Sequence, residues 1–254
     1  LAAMTSQVHA LGEFIPAGSR SAGMGDAYVG LAAGGEGVFW NPGSVAMGRR
    51  ISAMVGYDRP FGLSEFDTVS GASALRIGVV GIGLQYQGMQ ASALMETTSG
   101  LVLGLRVNAV GTGLRFRSVQ AQVSGRAPRQ WVVADLSVLI VSSTGVQVGL
   151  VGHNVTGKKV GVLGQGGMGG LGVTWGTTTI ALDVQKEAGT PTGSAFGIEF
   201  RPSEIGRIRF GVGGHPERLT MGLGVRKSGA EFDYGISYHT VLGLSHRMSI
   251  SFTR

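Results

Sequence analysis

The residues of this chain best equipped for chemistry are scattered charges. Arg106, Arg115, Arg117, Arg201, Arg207, Arg209, Arg226 and Arg247 recur singly or at two-residue spacing between apolar neighbours, and so do Asp58, Asp135, Asp183, Glu199 and Asp233. Guanidinium and carboxylate groups placed this way can pair with one another in a confined space, where an unpaired charge is costly. They can also line a polar path that attracts ions of one sign. Eight arginines against five carboxylates leave an excess of three positive charges in this set, which favours carboxylate-bearing, amphipathic solutes. Other chemistry is poorly served. The chain has no cysteine, so disulfides and thiolate metal sites are excluded. His9, His153, His215, His239 and His246 show no metal-ligand spacing, and no G-x-S-x-G elbow is present. Gly164-Gln165-Gly166-Gly167-Met168-Gly169 formally matches G-x-G-x-x-G. That motif needs a strand before it and a helix after it, and here a strand-like segment follows. No catalytic residue, metal or cofactor is assigned, and the chain reads as a non-enzyme.

The elements that must position these charges are strands. From residue 49 onward the pattern has period two. Ile180, Leu182 and Val184 alternate with Ala181, Asp183 and Gln185; Phe232, Tyr234, Ile236 and Tyr238 alternate with Asp233, Gly235, Ser237 and His239. One face is aliphatic or aromatic and the other is Gly, Ser, Thr, Gln, Arg or Asp, as in strands with lipid outside and a polar lumen inside. The spacing predicts about fourteen strands, near 49–59, 67–76, 79–90, 96–109, 112–123, 129–142, 145–155, 167–176, 178–187, 193–201, 206–214, 218–227, 230–239 and 243–253. Longer connections alternate with very short ones near Ile77-Gly78, Gly111, Ser143-Thr144 and Thr177. A soluble β-sandwich would also alternate, but it would expose a Lys/Glu-rich face rather than one of glycine and arginine.

Composition supports the same class. Charged residues are 14% of 254, and glycine stands at 46; an ordinary soluble domain carries roughly 25% charge and 7% glycine. No apolar run reaches the roughly 20 residues of a membrane helix. A chain compatible with lipid but without helical spans points to a closed barrel. The net charge of +6 invites a nucleic-acid reading, but the arginines are not gathered on one helix or tail, and no nucleic-acid partner is expected. The start Leu1-Ala2-Ala3 suits a chain whose export signal has been removed.

Residues 1–48 lack alternation and end in Trp40-Asn41-Pro42-Gly43, strong turn chemistry. They are expected to form a plug within the lumen, with 49–254 as the transmembrane barrel and Trp40-Asn41-Pro42 locking the plug to the wall. Inward glycines such as Gly81, Gly83, Gly104, Gly172, Gly197, Gly222 and Gly224 would leave it room, and would also let the strands bend.

The run Ser19-Arg20-Ser21-Ala22-Gly23-Met24-Gly25-Asp26-Ala27-Tyr28-Val29-Gly30, followed by Phe39-Trp40-Asn41-Pro42-Gly43-Ser44, resembles the start of PorV/PorQ-type proteins of the FadL-like outer-membrane superfamily. Phe196-Gly197-Ile198-Glu199-Phe200, Met221-Gly222-Leu223-Gly224-Val225 and the last strand are similar to it as well. Gly43 stands where the family usually has alanine, and the chain and its loops are short for the family. The resemblance implies an all-β, fourteen-stranded barrel of the bacterial outer membrane, bathed in outer-membrane lipid, with an N-terminal plug. It implies movement or presentation of a hydrophobic molecule or amphipathic acid. Its alternative implication is a non-transporting scaffold that docks secretion (type IX-like) or surface-assembly proteins.

Overall fold

The computed structural model describes residues 17–91, 94–156, 164–215 and 217–254. Residues 1–16 of the N-terminal segment and the stretch 157–163 of one loop lie outside them. Three short helices come first: α1 (Ser19–Gly23), α2 (Gly34–Trp40) and α3 (Ser44–Met47). Fourteen strands follow: β1 (Ile51–Arg59), β2 (Thr68–Ile77), β3 (Val80–Gln90), β4 (Leu94–Val107), β5 (Val110–Val123), β6 (Arg129–Val141), β7 (Val146–His153), β8 (Gly166–Trp175), β9 (Thr178–Glu187), β10 (Gly193–Phe200), β11 (Gly206–Gly214), β12 (Arg218–Lys227), β13 (Ala230–His239) and β14 (Gly243–Thr253). Each is antiparallel to its neighbours, and β1 pairs with β14 to close the ring. Closure leaves no unpaired edge, which a sheet in lipid could not sustain. Across the seam Val55 faces Ile250, Tyr57 faces Met248, and Asp58 faces Arg247.

Period two sorts the side chains. On β9, Asp183 is buried while Leu182 is 49% exposed; Leu182 lies between Leu171 of β8 and Phe196 of β10, also exposed. Such aliphatic residues form an apolar outer surface, and the polar alternates point inward. If this surface meets lipid, Leu182→Arg is expected to cost about 2–4 kcal/mol, because it lies mid-strand and a charge there must leave water. Urea titration of the barrel folded in lipid vesicles reads this directly. An unchanged midpoint would show that the outer face is not in hydrocarbon.

Connections at one end of the ring are mostly two-residue turns, and those at the other include the longer loops. One short turn differs in place from the sequence expectation. It lies at Asn108-Ala109, with Val107 paired to Val110, whereas Gly111 sits within β5 opposite Arg106. Asn108 adopts φ +53°, the left-handed conformation that asparagine tolerates better than most residues. The hairpin therefore does not need the glycine.

The three helices touch widely separated strands: α1 meets β11–β14, α2 meets β1–β3 and β14, and α3 meets β2–β5. The wall positions they approach, such as Gly81, Gly104, Gly197 and Gly222, alternate with the exposed aliphatic residues, so the contact is on the inner face. The side chains of this inner segment make the main buried cluster, including Met24, Tyr28, Val38, Phe39 and Trp40. Helices of four to seven residues are not stable alone; here the wall holds them.

Candidate functional site

Glycines set how closely the inner segment and the wall approach. A Cβ on Gly23 would lie 2.9 Å from the Gly222 backbone, and one on Gly35 would lie 2.6 Å from the backbone of Ala53 and Met54. On the wall, Gly81 and Gly104 face Val45, Gly197 faces Met24, and Gly172 faces Leu31. Larger residues at these positions would push the segment away from the strands.

Polar contacts then fix it. Asn41 Nδ2 donates to the Val138 carbonyl of β6 at 3.1 Å and to Val29 O at 3.3 Å. The Gly43 N–H donates to Ser137 Oγ at 2.8 Å, and a Cβ on Gly113 of β5 would meet Pro42 at 2.7 Å. Trp40 adds contacts within the segment. Its Nε1 donates to Ala17 O at 2.8 Å, and its ring meets Tyr28 edge-on at 6.0 Å. These Trp40 contacts tie two parts of the inner segment together, and Asn41, Pro42 and Gly43 meet the wall.

The inward charges gather into clusters. In the first, Arg115 and Arg117 share Asp135, with Nε to Oδ2 distances of 2.7 and 2.8 Å, and the Asn154 N–H donates to the same carboxylate. Arg115 also donates to the carbonyls of Val38 and Phe39 at the end of α2. In the second, Glu199 accepts from Arg20 of α1 at 2.9 Å and from Arg209 of β11 at 2.7 Å. Arg209 reaches on to Asp233 and to Glu231. In the third, Asp26 of the inner segment receives Arg218 and Arg247, both at 3.1 Å, and Arg247 also holds Asp58 at 3.0 Å. Asp183 accepts the backbone N–H groups of Tyr28 and Val29, each at 2.7 Å. Mutual pairing is what low-dielectric burial requires. The inward arginines Arg115, Arg117, Arg209 and Arg247 are therefore committed to carboxylates.

Four arginines with inward parity lie elsewhere. Arg106 caps Asn108 O, Arg201 caps Gly176 O, and Arg207 caps the carbonyls of Ser203, Glu204 and Gly206. Arg226 makes a long contact of 3.4 Å to Thr253 Oγ1. All four stand at the short-turn rim, because alternation fixes the face but not the depth. Arg20, Asp26, Arg218 and Glu231 complete the clusters and were not singled out by the alternation. The signal for Arg20 and Asp26 was a pair of opposite charges in an otherwise small-residue segment. Gly164–Gly169 runs into β8 with no helix after it, so the glycine motif presents no helix N-terminus.

Between the inner segment and the short-turn rim lies a cavity of about 590 Å³, lined by Arg20, Tyr28, Glu36, Arg49, Arg50, Arg76, Arg226 and neighbouring residues. Glu36 is buried on α2 and accepts the Ser21 N–H at 2.8 Å. Burial pushes its carboxyl up to about 7, against the Ser21 hydrogen bonds that favour ionisation, so it titrates near neutrality.

No family model and no curated protein matches the chain. Solved structures do resemble it. A Pseudomonas aeruginosa FadL homologue aligns over 93% of this chain and 98% of its own, at 11% identity and a TM-score of 0.64. The P. putida toluene transporter TodX aligns over the same shares at 9% identity and 0.68. A deletion mutant of TodX, a monoaromatic hydrocarbon channel, aligns over 94% and 97% at 9% identity and 0.63. The chain has the fold of these barrels.

Proposed function

We propose that the protein is an outer-membrane barrel that moves hydrophobic or amphipathic molecules, with residues 1–48 as the plug and 49–254 as the barrel. The observation that carries this reading is a closed, apolar-faced ring with an inner segment held across its lumen by discrete polar contacts rather than by strand pairing. The likeness to a FadL homologue and a toluene transporter supports the same solute class. At the long-loop end, Leu63, Phe66, Val241 and Leu242 are exposed, an apolar surface where a hydrophobic solute can first adhere. The PorV/PorQ-type resemblance of the N-terminal run is compatible with this role, and also with docking of secretion or surface-assembly proteins.

The test is uptake into proteoliposomes of toluene and of octanoate. Vesicles carrying the protein are expected to fill faster than protein-free vesicles for at least one of them. Impermeability to both, with or without residues 1–48, would overturn transport. Stable co-purification of periplasmic or surface proteins in mild detergent would then favour the docking role.

A further inference from the structure

The cavity at the short-turn rim is charged differently from the lumen above it. Inside the barrel, arginines are matched with carboxylates. At the rim, the side chains of Arg49 and Arg50 are exposed and have no ion pair or side-chain hydrogen bond among the described residues. Arg76 spends Nε on Gly48 O and Nη1 on Gly78 O, both at 2.9 Å, and has no carboxylate partner among the described residues. Arg226 approaches Glu231 only to 3.9 Å.

The carboxylates that line the same cavity are already engaged. Glu231 and Asp233 both accept from Arg209, and Glu36 takes the Ser21 N–H. The cavity therefore carries an uncompensated positive charge around a concave space. Its volume of about 590 Å³ falls in the range of sites for small molecules, roughly 300–1,000 Å³. That size suits a small ligand better than a folded partner, and Tyr28 and Met47 in its lining offer apolar contact beside the guanidinium groups. Arginine is the residue suited to holding planar carboxylates and phosphates, often by two parallel hydrogen bonds.

We propose that this vestibule binds the anionic head group, carboxylate or phosphate monoester, of a small amphiphile, with Arg49, Arg50, Arg76 and Arg226 as its recognising groups. The inference rests on the reading that the barrel handles amphipathic molecules, and it adds where and by what chemistry one is held.

The test is calorimetric titration of the full chain with octanoate, octyl phosphate, octanol and inorganic phosphate, in phosphatidylcholine nanodiscs. Octanoate and octyl phosphate are expected to bind at least about tenfold more tightly than octanol or inorganic phosphate, the scale of one charge-assisted contact. The double variant Arg49→Ala/Arg50→Ala is expected to weaken both anionic amphiphiles about tenfold and leave octanol unchanged. Arg49→Lys/Arg50→Lys, which keeps the charge, should restore most of the binding. Equal affinity for octanoate and octanol would overturn the proposal. So would equal affinity for octyl phosphate and inorganic phosphate, or an unaltered double variant whose barrel is folded by its gel mobility. Octanoate binding that vanishes in nanodiscs containing phosphatidic acid, a phosphate monoester, supports the site with a membrane lipid as its source; binding that persists there supports a free amphiphile. Uptake of toluene and octanoate by the same preparation separates the two ideas. Uptake of either without anion binding overturns this inference alone, and anion binding without uptake of either overturns transport alone.

Discussion

Arg209→Ala is expected to lower the unfolding free energy of the barrel by about 3–5 kcal/mol, the scale of removing one partner from a buried ion pair. Arg209 is fully buried and touches Glu199, Asp233 and Glu231. Without it, Glu199 keeps Arg20, but Asp233 loses its cation, and Glu231 is left with Arg226 at 3.9 Å. The carboxylates would then face one another in a space closed by α1. Protonation or entering water relieves part of this cost, which is why the expected figure is not larger. Arg201→Ala provides the comparison, since Arg201 caps a single carbonyl at the rim and should shift stability by no more than about 0.5 kcal/mol. Both are measured by urea unfolding in lipid vesicles. Equal midpoints for the two variants would show that the Arg209 cluster does not brace the barrel.

That contrast also marks how far the sequence could be read. Strands were legible because lipid outside and a polar lumen inside force strict alternation. The segments 178–187, 206–214, 218–227, 230–239 and 243–253 coincide with β9 and β11–β14. Alternation also assigned Arg209 and Arg201 to the same face. It could not tell that one sits at mid-lumen and the other in the β10–β11 connection, because depth depends on where each strand leaves the ring. The partners were hidden for a different reason. Arg20 meets Glu199 at a separation of 179 residues, and Arg247 meets Asp26 at 221; no local pattern encodes such pairs. Residues 17–48 showed no period at all. Their helices are too short for propensity to reveal, and what orders them is the glycine-lined wall. The contact between the Trp40 indole N–H and the Ala17 carbonyl, 23 residues apart, is equally invisible to a local pattern.

Deleting residues 1–40 is expected to leave a folded barrel whose single-channel conductance rises on the order of tenfold, if the inner segment is what fills the lumen. The ladder is complete without it: every strand has two neighbours, and β1 meets β14 along Ser52–Arg59. Most lumen charges are doubly held and keep one partner, but Arg218 loses both Asp26 and the Gly25 carbonyl. Glu199 retains Arg209, Arg247 retains Asp58, and Asp135 retains Arg117 and Arg115. Asp183 loses the Tyr28 and Val29 N–H groups, and Arg218, which lines the same small cavity, is freed beside it. In the opened lumen, water can hydrate both. The deleted barrel should therefore conduct more. Gly222→Leu in the intact chain makes a milder version of the same experiment, because a side chain there drives into Gly23 of α1, 2.9 Å from the Cβ position. It should raise the frequency of open events without removing the segment. Planar-bilayer recordings of both variants against the intact chain decide the matter. A deleted barrel that is folded by its gel mobility but conducts no more than the intact one would end the plug assignment.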